Sequence, residues 1–223
     1  MQPDTSRGTN RIRTAVVLAL VLGLPLFHLA NLGKLYGGLG TRWSGEAAWL
    51  TFVTLILAYV LVVERRPLSS LGFRRPTAFG LSLGVLAAIV IIAGDAAISV
   101  VEAVLHLTVK PQIAALFTTP LWFRVWLTTR AAIAEEIAFR GFGFERLAEL
   151  AGSRYVAAAA TFALFALAHY TGGGLALFLV AAWGGLVLTL LYLWRRNLWV
   201  TITAHWLTDA VGFLIMPLLR AHH

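Results

Sequence analysis

Ionisable side chains interrupt the apolar stretches of this 223-residue chain at three places. The first place carries Glu135, Glu136 and Arg140, the second ends at His169, and the third contains His205 and Asp209. Carboxylates and imidazoles are the groups with which enzymes most often move protons. An ionisable group at the centre of a membrane helix costs about 2.5–3.5 kcal/mol on insertion scales. We therefore interpret the three clusters as candidate functional residues.

The first cluster contains two glutamates with different surroundings. Glu136 and Arg140 are four residues apart, so on a helix they share a face, with the acid placed before the base. This pair is explained equally well by a buried structural salt bridge and by a functional role. Glu135 is rotated by about 100° and has no local cation. Since an unpaired carboxylate is costly in a membrane, we expect Glu135 to have a function.

His169 lies at the end of an apolar stretch, where a hydrogen-bonded structural histidine is the usual interpretation. Its position relative to Glu135 favours a function. If the chain turns near Gly152 and Ser153, both residues lie about 25 Å from the turn, at about 1.5 Å per residue. The sequence therefore predicts that Glu135 and His169 face each other across two neighbouring helices.

His205 and Asp209 have the i, i+4 spacing that places two side chains on one side of a helix. A hydrogen bond that fixes the last helix is the structural interpretation of this pair. Taken with the other two clusters, it predicts three carboxylates and two imidazoles converging in one bundle. Asp95, Glu102 and Arg130 are further polar positions in apolar helices, and we expect them to pair with one another.

The composition excludes a soluble globular enzyme. Hydrophobic residues make up 59% of the chain and charged residues only 13%, and the mean hydropathy is +0.81. A soluble domain carries about 25% charged residues. The formal net charge of +8 comes from short clusters between apolar stretches, so no nucleic-acid partner is predicted. Without cysteine the chain has no thiol nucleophile and no cysteine-based metal site.

Seven apolar stretches are long enough to cross a bilayer, which takes about 20 residues per helix. They cover residues 14–30, 47–63, 77–105, 121–143, 155–170, 173–194 and 198–219. Helices are expected because unpaired backbone is too costly in lipid. The predicted fold is an all-α, polytopic transmembrane helix bundle of about seven spans. Gly172 to Gly174 are predicted to form the turn after the fifth helix.

Lys and Arg are distributed unevenly between alternate loops. One side receives Arg140 and the cations of the N-terminus and of the loops 64–76, 144–154 and 195–197, and the other side only Lys34, Arg42, Lys110, Arg124 and Arg220. By the positive-inside rule this predicts a multi-pass protein of the cell membrane with a cytoplasmic N-terminus. Residues 1–76 are expected to form a two-helix segment with a cytoplasmic loop, and residues 77–223 the core.

The second half of the chain resembles the CPBP family, the CAAX-protease and bacteriocin-processing intramembrane proteases, also called the Abi family. The EExxxR motif is matched by Glu135, Glu136 and Arg140, FxxxH by Phe165 and His169, and HxxxN/D by His205 and Asp209. Order and spacing agree over residues 118–215. The first two helices carry no such signature.

The resemblance implies an endopeptidase that cleaves a membrane-associated protein or peptide, which in some relatives is prenylated. Its partners are membrane lipid and that substrate. In the metal-free scheme Glu135 and His169 activate a water, His205 faces the carbonyl, and Glu136 and Arg140 complete the motif. The family often has Asn at the position of Asp209, so here we expect Asp209 to orient His205 or to stay protonated.

Two alternatives remain open at this stage. In a metal-dependent scheme Zn²⁺ is held by Glu136, His169 and His205, with one position left for water. This spacing lacks the HExxH pattern, so its support is modest. A non-catalytic membrane immunity or scaffold protein that keeps the motifs for packing is the alternative to an enzyme. A transporter is the weakest interpretation, since no inverted repeat is visible.

Overall fold

The protein consists of helices joined by short connections, as a computed structural model shows for residues 5–27 and 40–217. The long helices are α1 Thr5–Gly23, α2 Gly40–Ala58, α3 Ala78–Val104, α4 Leu121–Glu135, α5 Arg154–Arg195 and α6 Leu198–Ala210. π-helical turns Tyr59–Val63 and Val211–Ile215 extend α2 and α6. The described residues contain no strand. The predicted all-α class is confirmed.

α4 is longer than the sequence pattern predicted. It runs through a π-helical segment, Glu136–Phe144, into the α-helix Glu145–Ala151, and we call the whole rod of residues 121–151 α4. The rod ends at Gly152, and the hydroxyl of Ser153 accepts a hydrogen bond from the Val156 amide at the start of α5. A serine at this position satisfies one of the free amides of a helix start. The predicted turn at Gly152 and Ser153 is therefore confirmed.

α5 contains a reversal at Gly174, whose φ of 83° lies in a region that suits glycine. The halves 154–173 and 175–195 fold back on each other. Their close packing is shown by Gly185, where an added Cβ would lie 2.7 Å from the Phe165 ring. The predicted turn at Gly172 to Gly174 is thus confirmed. With α5 counted as two rods, the described residues form the seven helices that were predicted.

Among the described residues, and with α5 counted as one helix, four helices are long and apolar enough to cross a membrane, which indicates a membrane protein. They are Trp43–Val63, Ala78–Val104, Arg154–Arg195 and Leu198–Ile215. α4 is not among them, because it carries the charged residues of the first cluster together with Arg124 and Arg130. It packs among more apolar neighbours, against α1, α2, α5 and α6. Among the described helices, the central rod therefore carries the most charged residues.

The core of the bundle lies around the π-helical segment of α4. All nine residues of Glu136–Phe144 are buried. Leu18 and Leu22 of α1, Phe52 and Ile56 of α2, and Phe165 of α5 belong to the same hydrophobic cluster. A π-helix widens the backbone turn and is often found at functional sites. This core holds the residues on either side of the segment in fixed positions.

One end of the bundle is tied together by ion pairs and carries the arginines of residues 64–76 and 195–196; we call it the arginine-rich end. The Arg146 guanidinium binds both carboxylate oxygens of Glu64. Glu145 pairs with Arg196, and the Leu198 amide donates to the Gly72 carbonyl. The prediction that Arg146 lies in a loop is wrong, because α4 extends to Ala151 and the Arg146 side chain is completely buried.

Candidate active site

A cavity of about 300 Å³ lies between α3, α4, α5 and α6. Four of the six candidate catalytic residues are in its wall: Glu135, His169, His205 and Asp209. The other two, Glu136 and Arg140, are buried behind the wall. The structure therefore brings the three sequence clusters together, and it divides the first cluster into a part that faces the cavity and a part that does not.

Glu135 and His169 face each other across the cavity wall. The distance between Glu135 Oε2 and His169 Nε2 is 3.8 Å, which is too long for a hydrogen bond. His169 Nδ1 lies 2.8 Å from the Phe165 carbonyl oxygen. A carbonyl only accepts, so Nδ1 carries the proton and a neutral ring leaves Nε2 as an acceptor. Two acceptors separated by this gap can both bind one water molecule.

Glu136 is the centre of a buried polar network. Its Oε1 accepts from Arg140 Nη1 at 2.8 Å, and His205 Nδ1 lies 3.1 Å from the same oxygen. Arg140 also donates to the Gly185 carbonyl and lies 4.3 Å from the centre of the Phe165 ring. The approach of Arg140 and Phe165 leaves no room for a side chain at Gly185. This network fixes the ring of His205.

His205 points its second nitrogen toward Asp209. Because Nδ1 donates to the Glu136 carboxylate, Nε2 is free to face the cavity. Its distance to Asp209 Oδ2 is 3.7 Å, longer than a hydrogen bond. Asp209 thus places a carboxylate near Nε2 without accepting a hydrogen bond from it. A charged ring at this place can donate a hydrogen bond into the cavity.

A zinc site at Glu136, His169 and His205 does not fit this geometry. Among the residues that the structure describes, no three His, Asp or Glu side chains are arranged so that they could hold one metal ion. Glu136 lies behind the cavity wall, where its Oε1 already accepts from Arg140. The nitrogen of His205 that faces this carboxylate is bound to it. The acids and bases in the cavity wall are Glu135, His169, His205 and Asp209, together with Asp95 and Arg130.

The predicted pairing of Asp95, Glu102 and Arg130 is wrong. Arg130 forms two hydrogen bonds with Glu46 of α2, at 2.8 and 2.9 Å. Asp95 is in the cavity wall, and its Oδ1 makes no hydrogen bond within the described chain. Sequence reasoning missed Glu46, because the predicted second helix began one residue after it. The signal in the sequence was an acidic residue at the start of an apolar helix. Such a residue can pair with an arginine that lies far away in the sequence.

Comparison with known proteins gives a family for the part of the chain that carries the site. Residues 116–211 match the family described as "Type II CAAX prenyl endopeptidase Rce1-like". The segment is Rce1-like. It contains all seven motif residues and nearly coincides with residues 118–215, where the sequence resembles the CPBP family. The resemblance is thereby confirmed.

The Rce1-like match indicates an intramembrane endopeptidase of the CAAX-protease type. It begins just before α4 and ends shortly after Asp209, so it covers α4, α5 and most of α6. α1, α2 and α3 lie outside the Rce1-like segment, although α3 contributes Asp95 to the cavity wall. No curated protein sequence and no solved structure matches the chain.

Proposed function

We propose that the protein is a membrane endopeptidase in which Glu135 and His169 activate the attacking water. The observation that carries this proposal is the pair of acceptor atoms, Glu135 Oε2 and His169 Nε2, 3.8 Å apart in a cavity wall. Peptide hydrolysis needs an activated water, a polarised carbonyl and a proton for the leaving amine. The described site has a group for each of these tasks.

The reaction begins with a water molecule that donates one hydrogen bond to Glu135 and one to His169. Its oxygen lone pairs are then directed away from both acceptors, toward a peptide carbonyl in the cavity. Glu135 takes one proton as the water oxygen bonds to the carbonyl carbon. When the carbon–nitrogen bond breaks, Glu135 returns that proton to the leaving amine. Glu135 thus serves first as base and then as acid.

His205 stabilises the negative charge that develops on the carbonyl oxygen. As an imidazolium it donates Nδ1–H to Glu136 and presents Nε2–H to the substrate. A donor held in place before the reaction stabilises an oxyanion more than a mobile one does. Asp209 supplies the negative charge that favours the imidazolium, while Glu136 and Arg140 are positioning residues. In this chain Asp209 therefore does not have to donate a hydrogen bond itself.

The test compares Glu135→Gln and His169→Ala with the unchanged protein. We expect Glu135→Gln to lose about 10²–10⁴-fold in cleavage rate, the range for one general base. The loss for His169→Ala should be similar, with expression and thermal denaturation in detergent unchanged. While the substrate is unknown, cleavage is measured by comparing membrane proteomes. Protein termini that cleavage creates in the unchanged strain should be absent from a Glu135→Gln strain. Arg66→Ala, at the exposed surface, is the matched control.

Two results would overturn this proposal. Full cleavage by Glu135→Gln would exclude the carboxylate as the base. Loss of folding in both variants, without any separable activity in the unchanged protein, would favour the non-catalytic membrane immunity or scaffold protein.

A further inference from the structure

Asp95 is an acidic group of the cavity that the proposed reaction does not use. It lies on α3, outside the Rce1-like segment, and its side chain belongs to the cavity wall. Its Oδ1 is buried and accepts no hydrogen bond from the described part of the chain. A carboxylate in an apolar membrane helix is costly unless it has a partner or a purpose. A molecule that enters the cavity can supply the partner.

The cations of the described cavity wall are already engaged elsewhere. Arg130 donates two hydrogen bonds to Glu46 of α2. His205 has one ring nitrogen bound to the buried carboxylate behind the wall. Asp95 and Asp209 lie close enough to repel each other as like charges. The charge of this wall therefore favours a ligand that is a cation.

Thr128 of α4 provides a second polar group without a partner. The residue is 0% exposed and belongs to the cavity wall, and its hydroxyl makes no hydrogen bond to any residue that the structure describes. Leaving a buried hydroxyl without a partner costs free energy. A hydroxyl oxygen accepts hydrogen bonds from an ammonium or a guanidinium, as a carboxylate does. Thr128 and Asp95 can therefore accept from the same cation.

Thr128 lies beyond the groups that are proposed to react. It precedes Glu135 by seven residues, which corresponds to about 10 Å of helix. α4 and α6 run in opposite directions, because Arg124 near the start of α4 donates to the Phe213 carbonyl in the π-helical extension of α6. Thr128 is therefore displaced from Glu135 toward the C-terminal end of α6.

Asp95 is displaced in the same direction. Gly84 of α3 packs against α6, where an added Cβ would lie 3.0 Å from the Thr203 Cβ, and both helices begin at the arginine-rich end. Asp95 is eleven residues after Gly84, whereas His205 is only two residues after Thr203. At about 1.5 Å per residue, Asp95 lies on the order of 10 Å beyond His205. Asp95 and Thr128 thus share a level of the cavity, which we call the second polar layer.

We propose that the second polar layer binds a cationic side chain of the substrate, a lysine ammonium or an arginine guanidinium. Asp95 supplies the negative charge, and both residues supply oxygen atoms that accept hydrogen bonds. An extended peptide covers about 3.3–3.6 Å per residue, so this layer is about three residues from the cleaved bond. The substrate is then a membrane-associated peptide with a basic residue within that distance. The substrate class rests on the proposed peptidase function, whereas the binding of a cation does not.

Binding is tested with two capped tripeptide amides that differ at one position. Acetyl-Leu-Lys-Leu-amide carries an ammonium, and acetyl-Leu-norleucine-Leu-amide is a neutral analogue of similar shape. Dissociation constants are measured in detergent with Glu135→Gln protein, which lacks the proposed base. We expect the lysine peptide to bind at least about tenfold more tightly, and the addition of Asp95→Asn to remove this preference.

Thr128→Val keeps the binding test decisive if Asp95→Asn fails to fold. The valine has nearly the shape of threonine but no hydroxyl, so the preference for the lysine peptide should fall about threefold. Thermal denaturation in detergent shows which variants are folded. An unchanged preference in folded Thr128→Val would remove that hydroxyl from the site and overturn the second polar layer as described.

Glu102→Gln is the matched control. Glu102 follows Asp95 by seven residues on α3, and its Oε1 likewise makes no hydrogen bond within the described residues, but it lies outside the cavity wall. We expect Glu102→Gln to keep the full preference for the lysine peptide. Three results would overturn the proposal: equal affinity for both peptides with Asp95 present, a preference that survives Asp95→Asn, or its loss in Glu102→Gln.

Cleavage tests the substrate class separately. Membrane proteomes of the unchanged, Glu135→Gln and Asp95→Asn strains are compared, and the protein termini that depend on Glu135 are collected. We expect a basic residue within three positions of these termini, and at least about a tenfold loss of them in the Asp95→Asn strain. Termini without a basic residue, or undiminished in that strain, would overturn the substrate class. If no terminus depends on Glu135, the proposed function fails, while the peptide-binding result still decides the cation site.

Discussion

Glu135 and Glu136 are neighbours in the sequence, yet one faces a cavity and the other lies in a sealed network. Glu136 is 0% exposed and is held by a guanidinium and an imidazole, so its charge is fixed by its partners. Glu135 faces the acceptor nitrogen of His169, with a gap of 3.8 Å between the two atoms. A carboxylate with fixed donors cannot exchange protons easily, whereas one beside an open gap can.

The two regions also depend on each other. The sealed network orients His205, which has one nitrogen in each region. The cavity-facing region contains the groups that we expect to react. Substitutions in the sealed network should therefore mainly lower the stability of the protein. Substitutions of the cavity-facing residues should mainly lower the rate of cleavage.

The largest stability effect is expected for Arg140→Leu. This change leaves the buried Glu136 carboxylate without its cation, and breaking a buried pair costs about 3–5 kcal/mol. Thermal denaturation in detergent measures the loss. The double variant Glu136→Gln with Arg140→Leu should be less destabilised than the sum of the two single changes. If Glu135→Gln proved as destabilising as Arg140→Leu, the division into two regions would be wrong.

Arg130→Gln should have a smaller effect. Arg130 and Glu46 form a pair whose side chains remain 9% and 8% exposed, and the Trp126 indole also donates to Glu46. We expect a loss below the roughly 3–5 kcal/mol of a fully buried pair. Glu46→Gln combined with Arg130→Gln should recover part of the stability in the same denaturation measurement. No recovery would mean that Arg130 acts on the cavity rather than on Glu46.

Asp209→Asn is expected to change cleavage by less than about tenfold, or about 1.4 kcal/mol. The amide loses the negative charge that favours the imidazolium of His205, but it can itself donate a hydrogen bond to an oxyanion. Cleavage rates of Asp209→Asn and Asp209→Leu separate these contributions, since Leu provides neither. If both variants cleave as fast as the unchanged protein, Asp209 has no role in cleavage.

Arg66→Ala should have the smallest effect. The Arg66–Glu149 pair is exposed, with 43% and 48% of the two side chains accessible. Such pairs contribute about 0–1 kcal/mol because water screens them. Denaturation at low and high salt checks this estimate. A loss comparable to that of Arg140→Leu would show that this end is stabilised differently from our description.

The helical periods and turn residues were sufficient to predict most of the fold. Gly152 and Gly174 mark reversals, and the apolar stretches between them became helices. The end of α4 was not predictable from hydropathy, since it contains Glu145 and Arg146. Their charges read as a loop in sequence but are neutralised by distant partners in the structure. Hydropathy does not contain information about such partners.

Most residues of the site could be predicted because ionisable side chains are unusual in apolar helices. Polar residues in an apolar helix are few, so Glu135, His169 and His205 were identifiable, and the helical rise predicted the depth of the first two. The division of the adjacent glutamates between cavity and core follows from how three helices rotate against one another. That rotation depends on packing around the π-helical segment, for which a single sequence carries no reliable signal.

The clamp between Glu64 and Arg146 has a consequence for biogenesis. Its partners are 82 positions apart, so the end of α2 stays incomplete until much of the chain has left the ribosome. At a synthesis rate of about 5–20 residues per second, Arg146 is added about 4–16 s after Glu64. During that interval the first two helices hold the Glu64 carboxylate without its buried partner Arg146. Translation of the second half thus completes the anchoring of the first.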